Sequence, residues 1–362
     1  MAPADSSPIP VVFCICDPTG EYSKYVATTI ASLLRHTKHQ ISIHILCDET
    51  VSDENKSLLS QTAVNLGSSV TYHSVSVPER VKQLDSLKNI TVGTLFRLYI
   101  PEYFDKFKKV VYLDGDILVQ CDVADLFNQN LEGLFAGVIL DTAETRQNFI
   151  HSRFYRKLHV AENQYFNAGV MVFNCEEINS HMNLLEEGLK ILDRIPCLTF
   201  ADQDVLNILF QGKTHILDCK FNRQVDLLYM GNTAITEALS SDDILHFSGY
   251  IKPWNCSKPY AANHYFQYMK HTPYADTPDK MCRVMSALSE NYKQKMSLKK
   301  VLWHFLRVKY PLITGILRDI HRKFRYNLLL PSKLNEYSAV GVPPVRQGVP
   351  FVRRGVPLAI FR

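Results

Sequence analysis

Several signatures are missing from this 362-residue chain, and each absence narrows what it can be. No stretch approaches the roughly 18–20 apolar residues that a membrane-spanning helix requires, so a bilayer-crossing protein is not expected. The nine cysteines are scattered, only Cys14 and Cys16 lie close together, and no C-x-x-C occurs. That usage argues against a disulfide framework or a zinc site and suits reduced thiols in a cytoplasmic location. Neither G-x-G-x-x-G nor G-x-x-x-x-G-K-[ST] is present, which speaks against a dinucleotide dehydrogenase and a P-loop phosphotransferase. Met1 to Pro10 holds three prolines and Asp5 before any apolar run, so a secretory leader is not expected.

What is present is ordinary in bulk. Hydrophobic residues make up 46% and charged residues 21%, which excludes a wholly disordered or fibrous chain. The length admits one large α/β domain with an appendage, or two domains. Net charge is +4, but it is unevenly placed. Residues 291–362 carry 15 Lys and Arg against Asp319 and Glu336, while the preceding residues carry 25 basic and 34 acidic side chains. A basic end on an acidic body reads as a contact for something anionic, a membrane face or nucleic acid.

Within that end, Leu298, Leu302, Phe305 and Leu306 share a face ringed by Lys299, Lys300, Arg307 and Lys309. After Pro311 the stripe resumes at Ile313, Ile316, Leu317, Ile320 and Phe324, with Arg318, Arg322, Lys323 and Arg325 opposite. Two helices packed on the body would give this pattern. So would an interfacial pair on anionic lipid, each near-surface cation contributing about 1 kcal/mol, and the one-sided charge favours lipid. No aromatic-rich basic repeat or zinc-finger spacing supports nucleic acid. The last residues repeat Gly-Val-Pro from Gly341, Gly348 and Gly355 and read as a flexible tail.

Apolar runs at Val11–Cys16, Ile41–Cys47, Val70–Val77, Lys109–Leu113, Ile117–Val119, Leu134–Leu140, Tyr165–Phe173, His215–Leu217 and Ile244–Phe247 read as strands. Helical stripes follow Gly20 (Tyr22, Tyr25, Val26, Ile30, Leu33, Leu34), span Thr91–Tyr99 before Pro101, and cover Val205–Phe210 before Gly212. Strands alternating with helices predict a mainly parallel sheet covered on both faces, with ligands at the strands' carboxyl ends.

Asp114-Gly115-Asp116 is the most informative triplet. Two carboxylates two positions apart at the end of an apolar strand can converge on one hard divalent cation if the strand bends there. The glycine lets another group approach closely. A solvated turn is the competing explanation, but the triplet sits between two apolar runs, where a plain surface turn fits poorly. A second D-x-D, Asp202-Gln203-Asp204, opens a helix, where capping competes for Asp202. His246 ends an apolar strand; such a histidine is usually a satisfied core residue, but Gly249 and Lys252 follow, permitting close backbone approach and supplying a point charge suited to phosphate.

Four ordered motifs go further: Val111-Tyr-Leu-Asp-Gly-Asp116, Tyr165-Phe-Asn-Ala-Gly-Val170, Ala201-Asp-Gln-Asp204 and His246-x-x-Gly-x-x-Lys-Pro-Trp254. By these the chain resembles glycosyltransferase family 8, retaining enzymes of the GT-A fold that use nucleotide-sugar donors, and among them bacterial lipopolysaccharide glucosyl- and galactosyltransferases. The resemblance implies a Rossmann-like, mixed but mainly parallel sheet flanked by helices. It implies a nucleotide-sugar-binding catalytic domain over 1–270, which the charge and repeat patterns above extend by a basic amphipathic helical region over 271–330 and a flexible tail over 331–362. Asp114, Asp116 and His246 would hold Mn²⁺ or Mg²⁺ on the diphosphate of UDP-glucose or UDP-galactose, and mixed oxygen and imidazole ligands suit Mn²⁺ somewhat better. Lys252 and the backbone of Gly249 would meet the phosphates.

The same resemblance puts the donor against Arg97, Gly115, Asp141, Asn167 and Ala168, with Asp202 and Gln203 as the catalytic candidates. Asn167 interrupts an apolar strand, where an unpaired amide would be costly; a local backbone bond is its alternative. Arg97 could equally lie on a solvated helix face, and Asp141 could cap or turn. Asp17 and Tyr22 would face the uridine, although Pro18-Thr19-Gly20-Glu21 separates them. The expected activity is transfer of a hexose to a saccharide or glycolipid acceptor by a peripheral protein on the inner face of a membrane. The alternatives are a self-glucosylating primer protein like glycogenin, and a non-catalytic anion-binding protein.

Overall fold

Val11, Phe13 and Ile15 bury one side of the first strand, β1 (Ile9–Ile15), and Val12 buries the other. Only a strand with helices on both faces can bury both sides. The computed structural model describes residues 7–78, 81, 92–141, 160, 164–195, 198, 200–227, 232–248, 252–255 and 259–275. The basic amphipathic segments, the Gly-Val-Pro tail and Gly249 lie outside the described residues.

β1 pairs in parallel with β2 (Ile41–Cys47) and β4 (Val110–Leu113), and β2 with β3 (Ser69–Ser74). β7 (Phe166–Phe173) lies antiparallel between β4 and β6 (Ala136–Leu140), and β8 (Thr214–Ile216) runs parallel to β6. The seven strands are ordered β3-β2-β1-β4-β7-β6-β8, with β7 alone reversed. A smaller sheet joins β5 (Ile117–Val119), β10 (Ile244–His246) and β9 (Arg223–Gln224), in the order β5-β10-β9. This is the mixed, mainly parallel sheet expected from the sequence.

Two apolar clusters fill the two faces of the large sheet. On one, α1 (Ser23–His36) buries Val26, Ala27, Ile30 and Leu33, and α2 (Asp53–Asn65) buries Leu59 and Ala63. Ser52 caps α2 by accepting from the Asn55 amide at 3.2 Å. The other face carries α5 (Cys175–His181), α6 (Leu184–Arg194) and α7 (Asp202–Leu209), named after the short helices α3 (Ile100–Tyr103) and α4 (Ala124–Phe127). A third cluster ties α8 (Asn232–Leu239) and α9 (Pro259–Met269) to the small sheet, where Trp254 stacks on Tyr25 with centroids 3.8 Å apart. Tyr274 donates to Asn55 at 2.8 Å, so the chain packs on this body through residue 275.

One local expectation is corrected. The segment read as a helix over Thr91–Tyr99 is a 3₁₀ helix, Val92–Tyr99, and Pro101 does not end the helical path but stands in the first turn of α3. A proline there forfeits no hydrogen bond, because the first-turn N–H groups have no helical partner. The helix placed at Val205–Phe210 begins earlier, at Asp202.

Candidate active site

β4 ends at Leu113 and β5 begins at Ile117 in a different sheet, so the chain bends at Asp114-Gly115-Asp116. α1 holds the bend: the Thr29 hydroxyl lies 3.0 Å from the Gly115 carbonyl and 2.8 Å from that of Ile117. Gly115 is needed there, since a Cβ would lie 2.6 Å from Val26 Cγ2 and 2.7 Å from the Tyr22 hydroxyl. That hydroxyl accepts from the Gly115 N–H at 3.2 Å. The close approach expected at this glycine is therefore made by the protein's own tyrosine.

The antiparallel pairing of β5 with β10 sets Ile117 opposite His246 and brings the imidazole beside both carboxylates. His246 Nε2 lies 3.8 Å from Asp114 Oδ2 and 3.4 Å from Asp116 Oδ1. Each carboxylate commits its other oxygen elsewhere. Asp114 Oδ1 accepts from Arg97 and the Tyr112 hydroxyl; Asp116 Oδ2 accepts from Lys252 Nζ at 2.6 Å. The ligand atoms of the three side chains lie within 4.8 Å of one another. Two carboxylate oxygens and an imidazole nitrogen form a hard, mixed set of the kind a divalent cation takes.

Charge balance here is internal. Burial raises the Asp116 carboxyl, but Lys252 and His246 outweigh it and hold the group well below the usual carboxylate range. Burial opposes charge on Arg97 as well, yet Asp114 and Asp202 keep the guanidinium firmly protonated. Arg97 bridges those two acids and is 7% exposed, so the solvated-face alternative fails. Asp202 is not the cap of α7: Ala201 holds that position, and the Asp202 carboxyl faces Arg97. Burial pushes that carboxyl up, with Arg97 opposing. The residue before it, Ala201, has φ 39°, a left-handed backbone that an L side chain rarely adopts.

Gln203 is locked on all sides. Its Oε1 accepts from the Ala168 N–H at 3.0 Å, and its Nε2 donates to Asp141 Oδ2 at 3.2 Å and to the Tyr165 hydroxyl at 3.1 Å. Asn167 makes the local bond weighed against it in the sequence: Oδ1 accepts from the Gly169 N–H at 3.0 Å, and also from Asn222 Nδ2 at 2.9 Å. Any sugar contact by Asn167 would thus come from Nδ2. Lys252, expected on phosphate, donates to Asp116 and to the Phe247 carbonyl. Asp17 closes its own loop, accepting from the amides of Tyr22 and Ser23 at 2.9 Å each and from the Ser23 hydroxyl. The ends of β4, β6 and β7, the β5–β10 pairing and α7 thus gather Arg97, Asp114, Asp116, Asp141, Asn167, Ala168, Asp202, Gln203, His246 and Lys252 at one rim of the sheet, where the strands end. Tyr22 joins them through Gly115, while Asp17 supports the loop behind.

The profile of glycosyl transferase family 8 matches residues 11–257. The chain belongs to that family. It is 27% identical over 274 residues to a lipopolysaccharide 1,3-galactosyltransferase of Salmonella typhimurium, covering 73% of this chain and 77% of that one. It is 26% identical over 310 residues to a lipopolysaccharide 1,2-glucosyltransferase of Escherichia coli, covering 81% and 88%. The galactosyltransferase LgtC, solved with donor and acceptor sugar analogues, superposes with a TM-score of 0.62 at 23% identity over 73% of this chain and 96% of that one. The family-8 chain is therefore a glycosyltransferase with a GT-A fold, acting on a sugar-nucleotide donor and a saccharide acceptor. Among the described residues no helix is long and apolar enough to cross a membrane.

Sequence reading missed Tyr112, Tyr165, Asn207 and Asn222. Asn207 stitches α7 to β7 through the amide and carbonyl of Phe166, both at 2.9 Å. Tyr112 and Tyr165 stood inside quoted motifs, so a polar tip next to an acidic or amide side chain was a usable signal. Asn222 had none, as it ends a 3₁₀ turn, Cys219–Asn222, outside every motif.

Proposed function

We propose that this glycosyltransferase moves glucose or galactose from UDP to a saccharide acceptor with retention at the anomeric carbon. The acceptor class is lipopolysaccharide core or another cell-surface glycan; the relatives named above are lipopolysaccharide hexosyltransferases. The supporting observation is the division of labour between carboxylate oxygens. One oxygen of Asp114 and one of Asp116 are anchored by Arg97 and Lys252, which leaves the other two converging with His246 Nε2.

Asp114, Asp116 and His246 would hold Mn²⁺ or Mg²⁺, which when bound neutralises charge developing on the departing UDP. Arg97 aims the Asp114 carboxylate, and its second bond fixes Asp202 at the mouth of α7. Gln203 keeps its oxygen turned to the Ala168 amide, so a route through a glutamine adduct would first have to break that bond. An amide is also a weak nucleophile. A front-face route through a short-lived oxocarbenium–phosphate ion pair needs no such rearrangement, and Asp141, Asn167 and Gln203 would hold the sugar for it. The loop from Asp17 to Tyr22 would meet the uridine, and the basic C-terminal residues would rest on an anionic membrane surface.

A donor screen tests the reading. Purified protein with Mn²⁺ is incubated with UDP-glucose, UDP-galactose or UDP-N-acetylglucosamine, and UDP release is followed with and without a lipopolysaccharide acceptor. Acceptor-stimulated release from one of the two hexose donors, giving an α-linked product by NMR, is the expected result. Release from neither donor, or a β-linked product, would overturn it. A hexose ladder on the protein itself would instead favour the self-glucosylating alternative.

A further inference from the structure

We infer that Asn222 is a positioning residue for the metal ligand His246, setting which ring nitrogen faces the acidic pair. The inference rests on the cation site proposed above and goes beyond it.

The backbone N–H of Gly169 can only donate, and it donates to Asn167 Oδ1 at 3.0 Å, so that atom is the oxygen. The Asn222 atom 2.9 Å from the same oxygen must then be Nδ2. This turns Asn222 Oδ1 to His246 Nδ1, 2.9 Å away, and an amide oxygen can only accept. The proton of a neutral imidazole is therefore held on Nδ1, and the Nε2 lone pair points between Asp114 Oδ2 and Asp116 Oδ1. In the opposite tautomer Nδ1 and Asn222 Oδ1 would be two lone pairs facing each other.

Asn222 is fully buried, so no water can replace it. β10, which carries His246, pairs with β9, and Asn222 immediately precedes β9 at the end of its 3₁₀ turn, so strand pairing brings the two side chains together. An outer partner that fixes a ligating histidine commonly changes metal affinity about 10–100-fold when removed.

The test compares two variants, Asn222→Leu and Asn222→Asp, by Mn²⁺ binding in calorimetry and electron paramagnetic resonance, with unfolding curves recorded in parallel. Both lose the donor to Asn167. Only Asn222→Asp keeps an acceptor for Nδ1–H. The expected result is Mn²⁺ affinity lowered about 10–100-fold in Asn222→Leu and retained within about threefold in Asn222→Asp. Equal loss in both, or no loss in either, would overturn the inference by making Asn222 a packing residue only. Wild-type protein that binds no Mn²⁺ would instead sink the cation site itself. Should either variant fail to fold, ¹⁵N histidine spectra of the metal-free wild type at pH 8, assigned by comparison with His246→Gln, decide the matter. A protonated Nδ1 with a bare Nε2 supports the inference, and a protonated Nε2 overturns it.

Discussion

The imidazole of His246 occupies the volume that a side chain at Gly169 would need. A Cβ at Gly169 would lie 2.3 Å from His246 Cε1, 2.8 Å from its Nδ1 and 2.9 Å from Asp114 Oδ2. Real Cβ atoms do not approach so closely, so one of the two ligands must move. Gly169→Ala is expected to lower Mn²⁺ affinity and turnover together by at least about tenfold, and to cost about 1–3 kcal/mol of stability by overpacking. Mn²⁺ titration beside thermal melting checks it, and unaltered binding would count against the packing described.

Asp116→Ala and His246→Ala are expected to abolish turnover while circular dichroism stays native. Chelation of wild-type protein should do the same, with Mn²⁺ restoring activity. Full activity in either variant with the metal chelated would exclude the proposed chemistry.

Arg97 neutralises two acids from within the protein, and its removal leaves both uncompensated. Arg97→Met is expected to destabilise the fold by about 3–5 kcal/mol, the usual penalty for orphaning a buried charge. Adding Asp202→Asn should recover part of that loss, because the carboxyl at Asp202 is the deeper of the two, 2% exposed. Urea unfolding of the two single variants and the double variant measures the coupling; strict additivity would contradict it.

On the same face of the sheet as Phe104, His44 Nδ1 sits 3.2 Å from His73 Nε2, with His44 packed against Phe104 and Phe107. His44 Nε2 is buried without a hydrogen-bond partner among the described residues. Burial, and secondarily His73, lowers the His44 pKa to about 4. The unfolded chain binds this proton near pH 6.5 and the folded one only near 4. Stability from this site is therefore whole above about pH 6.5 and falls away as the pH drops toward 4, by at most about 3 kcal/mol. Melting temperatures of wild type and His44→Phe across that window should diverge, the variant showing the shallower slope.

The strands were legible because burial on both faces leaves near-continuous apolar runs. The metal candidates were legible because charged groups at the ends of such runs need a reason. The reversal of β7 was not, since local periodicity carries no strand direction. Nor was the 3₁₀ path over Val92–Tyr99, whose apolar spacing resembles an α-helix. Asn222 was silent because its partners, Asn167 and His246, lie 55 and 24 residues away and meet it only through sheet pairing. Asp17 was placed correctly at a strand end, but its carboxylate serves the loop's own amides.

Because β7 runs opposite to β6, the connection between them leaves the sheet after Leu140 and re-enters at Phe166 on a single rim, the rim that carries Asp141 and Asn167. Insertions or deletions in that connection can therefore leave the strand register untouched. Variation in the length of that rim is thereby uncoupled from the pairing that holds the sheet together.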